Sequence, residues 1–244
     1  MIQEIKTFAG RDCVIFRSAD PRAILIQPTD EHDRMGLPEQ VALLEQRCGD
    51  GFVLTAFPVT GWNRELSPWD APAVFGNEDF GHGAAETLSF IEQALLPAIL
   101  QQFELPEKLP VILGGYSLAG LFSLWSAYQT DRFCAIAAAS PSVWFPEWIE
   151  YAQKAEIRAQ HVYLSLGDRE ERTKNPVMAR VGDCIQTQEA LLREKQIDCR
   201  LEWNVGNHFR DAEKRTAAAF AWCVERISGM DETIASVKPN DKRV

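Results

Sequence analysis

Short apolar runs alternate with helical patterns along almost the whole chain of 244 residues, and this alternation restricts the fold more than any other feature. The runs are rich in Val, Ile, Leu and Phe and are bounded by Gly, Pro, Asp or Asn, as buried strands are. We predict strands at Cys13–Arg17, Ala23–Gln27, Phe52–Phe57, Pro110–Gly115, Phe133–Ser140, His161–Gly167 and Cys199–Val205. Strands that alternate with helices form βαβ units, so we expect an α/β protein with a mostly parallel central sheet and helices on both faces.

The helices between these strands are predicted from proline and glycine positions and from apolar stripes. Proline and asparagine are favoured at helix starts, and glycine is favoured just past helix ends. We predict helices at Pro38–Gly49, at Ala84–Phe103 with a kink at Pro97, from Asn175-Pro176 onward, and after Asp211.

The first two predicted strands are joined by a connection that is too short for a crossover helix. We therefore expect Cys13–Arg17 and Ala23–Gln27 to form an antiparallel hairpin at the edge of the sheet. No internal repeat or linker divides the chain, which predicts a single domain over residues 1–230. The polar residues 231–244 are expected to pack loosely as a C-terminal tail.

Composition and charge exclude several classes of function. Hydrophobic residues make up 46% of the chain, enough for a sizeable core, and 35 acidic against 25 basic residues give a net charge of −10. Such an acidic surface repels nucleic acid and anionic membranes, and the longest apolar runs are too short to cross a bilayer. The six scattered cysteines predict neither zinc site nor disulfides. These features, with an N-terminus unlike a signal peptide, favour a cytoplasmic enzyme or binding protein.

The segment from Val111 to Phe122 carries the most informative motif. An apolar strand runs into Gly-Tyr-Ser-Leu-Ala-Gly and then into a helical pattern. This is the setting of a nucleophile elbow, a turn so tight that the positions two before and two after the serine must be small. Gly115 and Ala119 meet that need, so we predict Ser117 as the nucleophile. The N–H of Leu118 would then face a developing oxyanion.

The base is predicted from chain order, which in proteins with this elbow runs serine, acid, histidine. The chain has four histidines. His32 and His82 precede the serine, and His161 begins a strand at the end away from the expected site. His208 follows the last predicted strand, and we predict it as the base.

Three carboxylates after the strand His161–Gly167 are candidates for the acid that orients the base. Asp168 follows the strand directly and has the alternative role of capping the turn. Glu170 has room to swing back toward His208, and we favour it. Glu171 fits a solvated surface residue.

These residues together resemble the Putative esterase family of α/β-hydrolases, which includes enterochelin esterases, esterase D-type hydrolases, feruloyl esterases and mycolyltransferases. The resemblance spans about Arg22 to Cys223. Ala139–Phe145 is similar to the family's Ser-x-Ser-x-Trp segment, Phe90–Pro97 to its helix before the nucleophile strand, and Gly167-x-x-Glu170 to its acid position. The chain departs from the common pattern at Ala119, where many hydrolases have glycine.

A second departure concerns the oxyanion hole. Many α/β-hydrolases carry His-Gly after the third strand, where this chain has Gln27-Pro28-Thr29-Asp30. The N–H of Thr29, or that of Asp30, is the expected second donor.

The resemblance implies a serine carboxylester hydrolase that acts on a small or medium soluble ester through an acyl-enzyme. This chemistry needs neither a metal nor an organic cofactor. A thioester hydrolase or an acyltransferase would use the same triad and stays open as an alternative. The segment around Trp144 suggests a siderophore trilactone esterase. A non-catalytic binding module of the same fold is the alternative from a different class. The sequence leaves the oligomeric state open.

Four tryptophans fall on loops expected at the catalytic edge of the sheet. Trp62 and Trp69 follow the third predicted strand, and Trp144 and Trp148 follow the strand that ends near Ser140. They either wall an acyl or aromatic pocket or plug the loops against the domain. The long segment Thr60–Gly83 is likewise expected to be either a substrate-covering loop or a rigid surface loop.

Overall fold

An eight-stranded sheet forms the centre of the computed structural model, which describes residues 1–236 and their side chains through residue 228. The strands are β1 (Ile2–Phe8), β2 (Arg11–Arg17), β3 (Ala23–Thr29), β4 (Phe52–Pro58), β5 (Val111–Tyr116), β6 (Ala135–Ala139), β7 (His161–Gly167) and β8 (Asp198–Asn204). Their order is β1-β2-β4-β3-β5-β6-β7-β8. β2 runs antiparallel to both β1 and β4, and every other neighbouring pair is parallel. This is the predicted α/β-hydrolase fold.

Eight α-helices accompany the sheet in the described part of the chain. They are α1 (Glu31–Cys48), α2 (Trp62–Leu66), α3 (Ala84–Phe90), α4 (Leu96–Gln102), α5 (Leu118–Gln129), α6 (Trp148–Lys154), α7 (Val181–Glu194) and α8 (Ala212–Ser236). α1 and α8 pack together over one face of the sheet, and α5 and α7 cover the other. The prediction of helices on both faces is confirmed.

The central strands are buried along their whole length because helices cover both of their sides. Every residue of β3, β5 and β6 is buried. β6 is Ala-Ile-Ala-Ala-Ala, and its small side chains let the neighbouring layers approach closely. A methyl group added at Gly114 of β5 would lie 2.6 Å from the Cβ of Ala137 and 2.7 Å from the Phe220 ring of α8. This close packing fixes where the β5–α5 turn lies.

The edge hairpin predicted from Cys13–Arg17 and Ala23–Gln27 is wrong. β2 pairs instead with β1, a strand that the sequence analysis missed, through a turn at Ala9 and Gly10 with positive φ angles. On its other side β2 pairs with β4, which separates it from β3. β1 escaped prediction because it is an edge strand whose side chains are mostly exposed, so it lacks an apolar run.

The helix predicted to begin at Pro38 begins two turns earlier. α1 starts at Glu31, and Asp30 caps it by accepting a hydrogen bond from the Asp33 N–H at 2.7 Å. The Asp33 side chain accepts in turn from the Asp30 N–H, which completes a capping box. Pro38 therefore lies inside the helix, while Gly49 is the C-cap as predicted.

The irregularity predicted at Pro97 is a π-helical turn. Residues Ile91–Leu95 form this turn between α3 and α4, and the Leu96 N–H donates to the Ile91 carbonyl. Pro97 has no N–H to donate to the preceding turn of the helix. The helix widens to a π turn just before Pro97, where this hydrogen bond is absent.

The remaining helical predictions hold with shifted boundaries. The Asn175 side chain caps a turn by accepting from the N–H groups of Val177 and Met178, but α7 itself starts at Val181. α8 follows Asp211 as expected and continues to Ser236, so residues 231–236 of the predicted tail are helical. Residues 237–244 lie outside the described residues. No helix within residues 1–236 is both long and apolar enough to cross a membrane.

The tight packing under the β5–α5 turn yields a stability prediction. In Gly115→Ala the new methyl would lie 2.6 Å from the Cβ of Ala119, so we expect a loss of about 1–3 kcal/mol in the free energy of unfolding. Ala119→Gly should relieve part of this overlap, although glycine in a helix itself costs about 1 kcal/mol. Urea unfolding of the two single variants and the double variant measures the coupling, and strictly additive losses would contradict the packing argument.

Candidate active site

Ser117 occupies the tight turn between β5 and α5 in a strained backbone conformation. Its φ is +56° and its ψ is −118°, a combination that side-chain-bearing residues rarely adopt and that costs about 1–3 kcal/mol. The Ser117 N–H donates to the Ala139 carbonyl of β6, and its own carbonyl accepts from the N–H groups of Leu121 and Ser142. These bonds hold the strained turn, which lifts the serine side chain above the carboxyl edge of the sheet.

His208 and Glu170 lie next to Ser117 in a continuous hydrogen-bonded series. His208 Nε2 is 3.0 Å from Ser117 Oγ, and His208 Nδ1 is 2.7 Å from Glu170 Oε2. The imidazole keeps 24% of its surface exposed, whereas the Glu170 side chain keeps only 3%. The structure thus brings together the three residues that the sequence analysis favoured, from the ends of β5, β7 and β8.

The protonation states in this series follow from the surroundings of Glu170. Burial alone would raise the pKa of Glu170, but its bonds to His208, the Gly167 N–H and the Ser140 hydroxyl outweigh burial and lower it. An ionised carboxylate can only accept, so Nδ1 of His208 must carry the proton that they share. In neutral His208 this leaves Nε2 unprotonated and free to accept from the Ser117 hydroxyl.

Asp168, the alternative acid, makes a different contact. Its carboxylate accepts from the Gly206 N–H at 2.8 Å and holds the start of the loop that carries His208. Its side chain is about half exposed and lies 3.9 Å from the Arg169 guanidinium. Glu171 is exposed. Of the three carboxylates, Glu170 is therefore the one that contacts the imidazole.

A buried polar network behind Glu170 was missed by the sequence analysis. Arg215 of α8 is 1% exposed, and its Nη1 donates to Glu170 Oε1 at 2.7 Å and to Ser140 Oγ at 3.1 Å. Ser140 Oγ donates in turn to the same Glu170 oxygen at 2.8 Å. Glu170 is thus held through both oxygens, one by His208 and the other by this network.

The same network anchors the loop that carries His208. Tyr116 Oη donates to the backbone carbonyl of His208 at 2.6 Å and accepts from Arg215 Nη1 at 3.1 Å. Arg215 Nη2 donates to the Asn207 carbonyl at 3.1 Å. The imidazole is therefore positioned by its backbone as well as by its ring nitrogens.

The predicted oxyanion donors differ in their surroundings. Leu118 is the first residue of α5, so its N–H has no carbonyl one turn earlier within the helix to bond, and it lies at the positive end of the helix dipole. Thr29 is fully buried, and its hydroxyl donates to the Phe57 carbonyl, so it presents no surface to a substrate. The Asp30 N–H is directed at the Asp33 carboxylate in the capping box, 3.5 Å away.

Two of the four predicted pocket tryptophans follow β6. Trp144 comes two residues after Ser142, whose hydroxyl lies 3.3 Å from that of Ser117. Trp144 packs edge-to-face against Phe75 and Phe80. Trp148, in contrast, is 0% exposed and donates through its indole N–H to Gln188, so the structure places it in the core instead of a pocket wall.

The other two tryptophans belong to the segment 60–83, which is tied to the rest of the protein at several points. Trp62 begins α2 and is half-buried, and Trp69 donates through its indole N–H to the Pro146 carbonyl at 3.0 Å. The segment also forms an internal bridge between Ala71 and Phe80, and Asn175 donates to its Val74 carbonyl. It is thus folded onto the β6–α6 loop.

Solved structures with the same fold include several hydrolases. An IroE-like serine hydrolase from Shewanella oneidensis superposes with a TM-score of 0.75 at 16% identity, over 92% of this chain and 80% of that one. Siderophore hydrolase EstA from Aspergillus nidulans gives a TM-score of 0.62 at 18% identity, over 94% and 93% of the two chains. The enterobactin esterase FES from Shigella flexneri gives 0.65 at 16% identity, over 93% and 59%.

No curated protein is matched significantly by sequence. The family described as Putative esterase, however, matches residues 37–223, which include Ser117, Glu170 and His208. Because this match covers well over half of the chain, the protein belongs to that esterase family.

Proposed function

We propose that this protein is a serine carboxylester hydrolase in which Ser117, His208 and Glu170 are nucleophile, base and acid. The observation that carries the proposal is the unbroken series of bonds from Ser117 Oγ through the imidazole to Glu170. A serine hydroxyl is a weak nucleophile on its own and needs a base within hydrogen-bond distance, itself oriented by a third group. A binding module would need neither this alignment nor the strained turn at Ser117.

The acylation step uses the His208 tautomer set by Glu170. Ser117 Oγ attacks the ester carbonyl carbon while its proton passes to Nε2 of His208. The carbonyl π bond opens, and the negative charge moves to the carbonyl oxygen, which the Leu118 N–H stabilises. The carbonyl then re-forms, the carbon–oxygen bond to the alcohol breaks, and the imidazolium gives its proton to the departing alcohol oxygen.

Deacylation repeats these steps with water as the nucleophile. Water gives a proton to Nε2 of His208 as its oxygen attacks the acyl carbon, and the bond to Ser117 Oγ then breaks. The imidazolium returns the proton to Ser117, which restores the resting site and releases the acid. An alcohol in place of water would make the same machinery an acyltransferase, and a thioester in place of the ester would make it a thioesterase.

A siderophore ester is the second candidate for the substrate. Two structures with this fold are described as a siderophore hydrolase and an enterobactin esterase. The aromatic cluster of Phe75, Phe80 and Trp144 supports the idea, because half of the Phe75 surface is exposed and available to an aromatic ligand. Edge-to-face and offset-stacked contacts with such a ligand are favourable.

Covalent labelling with a fluorophosphonate tests the role of Ser117. We expect one label per chain, mapped to Ser117 by peptide mass spectrometry, because the reagent needs an activated serine. Labelling should vanish in Ser117→Ala and fall strongly in His208→Ala. His82→Ala is the matched control, since His82 also pairs with an aspartate, Asp70, but is exposed. A folded native protein that resists labelling would contradict the proposal.

The choice of acid is tested by two substitutions that remove one charge each. Glu170→Gln should lower kcat by about 10³–10⁴-fold, because the amide no longer fixes the Nδ1–H tautomer of His208. Asp168→Asn should stay within about threefold of the native rate, because an amide oxygen can still accept from the Gly206 N–H. Initial rates on an aryl ester measure both effects, and equal losses in the two variants would reject Glu170 as the specific acid.

A panel of substrates distinguishes a general carboxylester hydrolase from a siderophore esterase. We expect hydrolysis of short p-nitrophenyl esters, because the triad needs only a reactive carbonyl at Ser117. Hydrolysis of a catecholate trilactone, with a kcat/KM at least tenfold above that for the aryl ester, would assign the siderophore class. Aryl-ester hydrolysis without trilactone turnover would exclude that class and leave the esterase proposal intact.

A further inference from the structure

Arg215 is a charged side chain at a position where apolar packing would be expected. It lies on the inner face of α8 with 1% of its side chain exposed, one and two turns before the buried Ala219 and Trp222. A buried ion pair is weak evidence for stability, because well-packed apolar residues in its place are often equally or more stable. The contacts of Arg215 therefore need an explanation beyond packing.

Every hydrogen bond of the Arg215 guanidinium in the described structure ends on a group that holds the candidate active site. Nη1 donates to Glu170, Ser140 and Tyr116, and Nη2 donates to the carbonyl of Asn207, the residue before His208. The planar guanidinium suits this task, since its donors point in fixed directions. A lysine would supply a similar charge without that geometry.

The charge of Arg215 also changes the balance at His208. Glu170 lies between two cationic partners, one permanent and one that forms only when His208 is protonated. With Arg215 present, the resting Arg215–Glu170 pair is neutral, and protonation of His208 adds a net positive charge to a partly buried site. Without Arg215, protonation of His208 would instead neutralise an isolated Glu170 carboxylate. Arg215 therefore opposes premature protonation of the imidazole.

We propose that Arg215 is a positioning residue that fixes Glu170 and the His208 loop, and whose charge disfavours the protonated form of His208. Only neutral His208 can accept the Ser117 proton, so this charge extends the working range of the site toward lower pH. The inference deepens the proposed function and rests on it for its kinetic test.

The other charged and titratable groups around His208 leave this role to Arg215. Tyr116, from β5, has its ring centroid 5.1 Å from that of the imidazole and stays neutral, since burial raises its pKa to about 12. On the His208 loop, Arg210 and Asp211 form an exposed pair at 3.3 Å. Across the loop, Asp168 and Arg169 form a second exposed pair at 3.9 Å. Opposite charges in each pair largely cancel, and solvent screens them.

The kinetic test compares the pH dependence of kcat/KM for native protein, Arg215→Met and Arg215→Lys on an aryl ester. In Arg215→Met the midpoint of the acidic limb should rise by about one pH unit, so that activity below it falls roughly tenfold further. Arg215→Lys keeps the charge, so its midpoint should stay within about 0.3 units of the native value while kcat falls with the lost geometry. A purely structural role would lower kcat in both variants and move neither midpoint, which would overturn the proposal.

A second measurement covers the case in which Arg215→Met fails to fold because it leaves Glu170 without its partner. The double variant Glu170→Gln/Arg215→Met removes both buried charges and is compared with Glu170→Gln alone. The His208 ring protons, assigned with His208→Gln, are titrated by NMR. We expect the midpoint in the double variant to lie about one pH unit above that in Glu170→Gln. Equal midpoints would reject the role of the Arg215 charge.

The same titration separates the two proposals. It needs no turnover, so it tests Arg215 even in a protein that hydrolyses nothing. A native protein without esterase activity or fluorophosphonate labelling would reject the proposed function, whereas the titration would still decide the effect of the Arg215 charge on His208. Normal esterase activity with unchanged midpoints would reject only the inference about Arg215.

Discussion

The strained turn at Ser117 exists because the layers beneath it are packed closely enough to hold it. Gly115 and Ala119 lie so close together that a methyl group added at Gly115 would overlap the Ala119 side chain. The alanines of β6 leave room for α5 and α8 on the two faces of the sheet. A larger side chain at either position would push α5 away from the sheet and relax the turn. The strain of about 1–3 kcal/mol at Ser117 is offset by this packing, by backbone bonds to Ala139 and Ser142 in neighbouring segments, and by the bond from the Leu121 N–H of α5.

Burial and hydrogen bonding act in opposite directions on the protonation of Glu170, the carboxylate nearest this turn. It would push Glu170 toward its neutral form, yet the carboxylate is held ionised by donors on both of its oxygens. Ionised Glu170 sets the tautomer of His208, and that tautomer leaves Nε2 facing Ser117. In the proposed mechanism, the chemistry at Ser117 thus depends on a carboxylate that His208 stabilises on one oxygen and that Arg215, Ser140 and Gly167 stabilise on the other. The buried residues around Glu170 therefore set the tautomer of His208, which is partly exposed.

The parts of the fold and site that the sequence predicted are those encoded locally. The strand–turn–helix at Ser117 is visible because its small residues are adjacent in the chain, and the parallel strands are visible because burial on both faces makes them apolar throughout. β1 was missed because its side chains are mostly exposed, so it carries no apolar run. The start of α1 was placed too late, at Pro38, because the capping box at Asp30 and Asp33 was not recognised. Arg215 was missed because its partners come from the end of β5 and from the loops after β6, β7 and β8, which meet only in the fold. A charged residue one helical turn before an alanine-rich apolar stripe was the signal that could have found it.

The sheet and the loops contribute different parts of the candidate site. The sheet fixes the positions of Ser117, Glu170 and His208, and hydrolases at only 16–18% identity retain the same architecture. The segment 60–83 and the loop after β6 meet in an aromatic cluster that ends at the half-exposed Phe75. Phe209, directly after His208, is 90% exposed and lies edge-on to the imidazole. Covering an exposed aromatic ring with a ligand removes apolar surface from water, which is favourable. Under the proposed function, substrate selection is therefore expected to depend on these surface rings, and the reaction on the buried charges.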